Sequence, residues 1–99
     1  MILRDINTLA NTILHRNLDQ FGFDRAEIVE GLNFDEEESL LIKAFLNGNA
    51  IVPGHILGQS MADLRDALLE KSENRFPYLK LLRPGDDYPS EDSPNTGLN

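Results

Sequence analysis

His15 and Asp19 stand four residues apart. On a helix that spacing brings an imidazole and a carboxylate to one face. A structural zinc site wants four such ligands, and the only other histidine, His55, lies forty residues along the chain. The pair therefore reads as a solvated ion pair on a helix surface. His55 follows Pro53-Gly54 and invites comparison with a general base. A base needs a nucleophile and a partner acid within hydrogen-bond reach. Ser39 and Ser60 are the hydroxyls to consider, and both have simpler roles: Ser39 inside a helix, Ser60 as a helix cap. No catalytic residue is assigned.

The run Asp35-Glu36-Glu37-Glu38 is the densest cluster of charge. Consecutive side chains on a helix fan over about 300°, so four carboxylates in a row do not converge on one ion. They suit the first turn of a helix, where the dipole favours acids. Glycines 54 and 58 are four apart but lack the Lys-Ser or Lys-Thr of a phosphate loop. Lys71, Arg75, Lys80 and Arg83 form the one basic neighbourhood, with Phe76 and Tyr78 between them. Aromatic rings among cations can stack bases. In so acidic a chain, core packing is the stronger reading of both rings. No metal site and no cofactor is expected.

The elements that would position these residues read as helices. Ile2, Ile6, Leu9 and Ile13 step at helical spacing through a first helix, about residues 5–18. Asp24, three before Glu27, resembles a capping box for a short second helix over 25–30, with Gly31 stopping it. A third helix follows a cap at Asn33 or Asp35, carries the acids in its first turn and ends at Asn47-Gly48. Leu40, Leu41, Ile42, Ala44, Phe45 and Leu46 point in nearly every direction around it, as expected of a central helix. Leu41 and Phe45 stack on one face of it and are expected in the core. Residues 50–57 read as buried loop. Ser60 caps a fourth helix reaching Ser72 or Glu73, and Pro77 opens a short fifth one ending at Leu82.

The expected fold is all-α: four to five short helices packed around a central apolar helix over residues 1–83. The alternative is α+β with a short hairpin near residues 50–57. Residues 84–99 hold four acids, no bases and three prolines, and read as a disordered acidic tail.

With 40% apolar residues, the 99-residue chain can fill one small core. It has no cysteine, which fits a reducing compartment. The start lacks a basic, apolar leader, and no run approaches the ~20 apolar residues of a membrane span. A cytoplasmic location is expected. The formal charge of −8 opposes direct binding to nucleic acid, which draws affinity from phosphate neutralisation.

These features point to a non-enzymatic protein–protein interaction module: an adaptor, a small subunit or a regulatory partner of a complex. The alternative is an acidic inhibitor or nucleic-acid mimic, such as an immunity protein, an antitoxin or a phage-type anti-defence protein. It would block a basic nucleic-acid-handling protein. The expected partner-binding residues are Glu27, Glu30, Asp35, Glu36, Glu37, Glu38, Leu41 and Phe45. The expected partner is another protein with a basic surface, with a second copy of the chain as the other option. Neither a membrane nor direct nucleic-acid contact is expected.

Overall fold

The computed structural model describes residues 1–84, so the expected tail lies almost wholly outside the described residues. The order of elements is α1 (Leu3–Leu18), a 3-10 turn (Asp19–Phe21), β1 (Phe23–Leu32), β2 (Glu38–Leu46), α2 (Gly54–Glu70) and β3 (Phe76–Leu82). The three strands form one sheet in the order β1-β2-β3. β1 and β2 are antiparallel; β2 and β3 are parallel, joined through α2. The fold is therefore α+β, and the expected all-α bundle is wrong.

α1 forms where its spacing predicts. It buries Ile6, Ala10, Ile13, Leu14 and Leu18. The 3-10 turn then ends at Gly22, which adopts φ 88°. Glycine is required there twice over. A side chain rarely takes that conformation, and a Cβ would collide with the carbonyl oxygen of Asn47. Gly22 in turn accepts a hydrogen bond from the Asn47 amide at 2.7 Å.

The expected second and third helices are strands. In β1, Phe23, Ala26 and Ile28 are buried while Arg25, Glu27 and Val29 are exposed. That is the two-residue period of a strand, shifted once by a bulge between Phe23 and Arg25. In β2, Leu40, Ile42, Ala44 and Leu46 are buried, and Leu41, Lys43 and Phe45 between them are half-buried. An apolar run this short has no periodicity that separates strand from helix. Being apolar on every side meant two apolar faces of a strand, and Leu41 and Phe45 are not in the core.

The acids expected in a helical first turn instead lie in the β1–β2 loop or, at Glu38, on the first residue of β2. Asn33 organises this loop. Its side-chain oxygen accepts from the amides of Asp35 (2.9 Å) and Glu37 (3.0 Å). Its own amide donates to the carbonyl of Glu37 at 2.9 Å. Glu36 takes the left-handed conformation at the tip. The hairpin thus spans 23–46 rather than 50–57, where the chain runs irregularly into α2.

α2 starts six residues before the expected cap. The Pro53 carbonyl accepts from Ile56 and Leu57, so Pro53 is the N-cap. Ser60 lies buried in mid-helix, its hydroxyl donating to the Ile56 carbonyl and accepting from Asn17. Asp63 also accepts from Asn17 (3.0 Å) and Gln59 (2.8 Å), and with Arg16 alongside, its carboxyl stays below the ordinary range. These contacts join the two helices. At the far end the amide of Glu73 donates to Leu68 and that of Ser72 to Leu69, with Ser72 left-handed. This is a Schellman ending with serine where glycine is usual. The expected fifth helix is β3, an edge strand, where Pro77 is tolerated.

Both helices cover the same face of the sheet. Ile6, Ile13, Leu14 and Leu18 of α1 and Leu64 and Leu68 of α2 form one cluster with Ile28, Leu40, Ile42, Ala44 and Leu46. Among the described residues the other face carries no helix.

Candidate protein-binding face

The register places the residues of the uncovered face in rows across the three strands. One row is Val29, Leu41 and Tyr78; the next is Glu27, Lys43 and Lys80. Arg25 and Phe45 lie beyond the charged row, and Ser39 and Phe76 on the opposite side, toward the hairpin loop. Val29, Phe76 and Tyr78 are 41%, 39% and 41% exposed. Both aromatic residues of β3 were expected in the core. Alternation along an edge strand turns them outward instead, where they meet edge to face at 4.8 Å. At the loop end Leu32 is also exposed, and Phe34 is fully so. Leu32, Phe34, Ser39, Leu41 and Tyr78, with Asn33, line an open depression of about 360 Å³.

Of the eight residues expected to bind a partner, Leu41, Phe45 and Glu27 share this face. Asp35, Glu36, Glu37 and Glu38 gather at its loop end. Glu30 lies on β1 opposite Leu40, and its carboxylate accepts from Arg75 at 2.7 Å. Glu27 is likewise engaged: Arg25 bridges it (3.0 Å) and Asp24 (3.1 Å), while its guanidinium covers the Phe45 ring at 4.3 Å. The bond to Glu27 is the main cause that holds Arg25 above its ordinary range.

Several of the remaining candidates have structural partners. His15 and Asp19 meet at 2.7 Å, as their spacing predicts, and the imidazole stands edge-on to Phe23. His55 is exposed in the first turn of α2, five residues before Ser60, whose hydroxyl is already bonded. Among the described residues no group of three His, Asp or Glu is placed to hold a metal. Of the basic neighbourhood, Arg75 bonds both Glu30 and Glu73. Glu73 is buried and also meets the Met1 amino group at 3.3 Å. The Arg75 bonds, with lesser help from that amine, hold its carboxyl at about 2.

Two features escaped sequence reasoning. Val29, Leu32, Phe34, Phe76 and Tyr78 join the face only once the strands are known. Their signal was β-branched and aromatic residues alternating on either side of a loop led by asparagine. Asn11 is the other. Its amide donates to the Ala26 carbonyl (3.1 Å) and its oxygen accepts from the Ala26 amide (2.8 Å). It thereby caps the edge of β1 that β2 leaves open.

No family model, curated protein or solved structure matches the chain. No described helix is long and apolar enough to cross a membrane.

Proposed function

We propose that this protein is a non-enzymatic protein-interaction module that binds its partner through the face of its sheet opposite the two helices. One observation carries the proposal. Val29, Leu41, Phe76 and Tyr78 share one surface opposite the two helices, continuous with Leu32 and Phe34. Scattered apolar residues on a surface need no explanation, but a contiguous, partly aromatic patch with charges at its edge is the composition of a binding site. Exposing it stabilises nothing in the isolated chain. The nucleic-acid-mimic reading draws less support, because Glu27 and Glu30 are bridged by arginines of the same chain. A cysteine-free chain suits a reducing compartment, and the proposal carries a cytoplasmic location.

Site-specific photo-cross-linking in the native cells tests the reading. A photoreactive phenylalanine replaces Val29 or Tyr78 in one set of variants, and Asp66, on the exposed side of α2, in another. The expected result is a discrete cross-linked protein from the sheet positions that Leu41→Asp abolishes. Equal, diffuse labelling from both sets would refute it.

A further inference from the structure

Resting on the interaction-module reading, we propose that the face takes a cationic–apolar segment of a different protein. A bulky apolar side chain of that segment fills the depression between Leu32, Phe34, Leu41 and Tyr78. A neighbouring lysine or arginine meets Glu38 and the acids of the hairpin loop.

The structure places both halves of this receptor at the same end of the sheet. Around that end from the apolar depression, on the side that carries Leu40, lies a second one of about 310 Å³, lined by Glu30, Gly31, Leu32, Glu38 and Arg75. Leu32 lines both, so an apolar socket and an acidic one adjoin through a single exposed side chain. In the acidic socket Arg75 answers Glu30. Among the described residues no cation pairs with Glu38, Asp35 or Glu36. The loop that presents these acids is held by the Asn33 bonds, so little ordering is required when a ligand arrives. The row Glu27-Lys43-Lys80 crosses the face on the other side of Leu41 and Tyr78. A cationic flank is therefore attracted at the loop end and repelled at the other, which fixes the direction of the segment.

Charge also decides against a second copy. Phe34, fully exposed beside the depression, is a plug next to a socket, and reciprocal insertion about a two-fold axis would fit by shape. It would bring the Asp35-Glu36-Glu37-Glu38 runs of both chains together at the axis. Like charges so juxtaposed repel and disfavour that pairing. A basic partner turns the same carboxylates into attraction and faster encounter.

A library of random twelve-residue peptides displayed on phage provides the probe. It is selected on the wild-type protein and counter-selected on the Leu41→Asp/Tyr78→Asp pair, whose fold is checked by circular dichroism. The expected survivors carry an aromatic or large aliphatic residue within a few positions of two or more Lys or Arg. Synthetic copies of them should lose roughly ten-fold in affinity when Glu36, Glu37 and Glu38 are changed to Lys at low salt. At ~0.5 M salt, where screening shortens to a few ångströms, the loss should shrink. Survivors that are neutral or acidic overturn the cationic occupant, and so does failure to select any face-dependent peptide. Light scattering that shows a dimer dissolved by Leu41→Asp assigns the face to a second copy and overturns it too. In each case cross-linking from Val29 and Tyr78 still reports separately on whether the face binds protein at all.

Discussion

Truncating β2 one residue at a time should alternate between large and small losses of stability. Ile42 is wholly buried between the helices and β1. Ile42→Ala removes methyl groups worth ~0.8 kcal/mol apiece on transfer and leaves a cavity, together about 2–5 kcal/mol. Leu40→Ala and Leu46→Ala belong to the same class, since both side chains are closed off from water. Leu41 is half-buried on the uncovered face, so water can fill the space it vacates. Leu41→Ala should cost about 1 kcal/mol, from part of the transfer energy and no enclosed void. Phe45→Ala loses in addition its contact with the Arg25 guanidinium and should cost about 1.5 kcal/mol. A buried aromatic at that position would cost about 3–5 kcal/mol. Against a total stability near 5–15 kcal/mol, these classes are easily separated. Urea unfolding followed by circular dichroism measures them, provided the slope with denaturant stays constant across the series. Large, small, large over Leu40, Leu41 and Ile42 is the signature of a strand with one covered face. Leu41→Ala and Phe45→Ala as damaging as Ile42→Ala would mean that face is buried, and both the fold and the docking surface would be wrong.

Ser72→Gly should stabilise the protein by about 0.5–1 kcal/mol, raising the melting temperature by several degrees, because a left-handed serine ends α2; an unchanged or lower melting temperature would contradict that geometry. Glu73 should make stability acid-sensitive. Its carboxyl is held at about 2 in the fold against an ordinary 4.5, so the unfolded chain takes up the proton first as pH falls. A stabilisation of about 3 kcal/mol is complete above pH ~4.5 and drains away toward pH ~2. Urea midpoints across that range should fall less steeply in Glu73→Gln. Asn11→Ala removes both hydrogen bonds to Ala26 and should cost about 2–3 kcal/mol. Because it bares the β1 edge, it should also raise light scattering on concentration, and a variant that stays monodisperse and fully stable would refute the capping role.

α1, most of α2 and the meeting of His15 with Asp19 are legible in the chain's local spacing. These depend on spacings of three and four residues within one element, which local geometry alone brings together. The sequence also carried the acidic cluster and its place beside an apolar run. The rest depends on pairing between distant segments. Residues 38–46 are apolar at odd and even positions alike, so no local period says whether they coil or extend. Pairing with β1 and β3 settles it by satisfying their backbone groups across chain segments far apart in sequence. That choice turned Leu41 and Phe45 from core to surface, joined them to Val29 and Tyr78, and moved the acids from a helix start to a hairpin tip. A face assembled from three strands exists only once those strands lie side by side. The candidate site was legible as a list of residues and invisible as a surface, because alternation about a sheet, and the layer of helices on one side of it, determine which half of an apolar strand meets water.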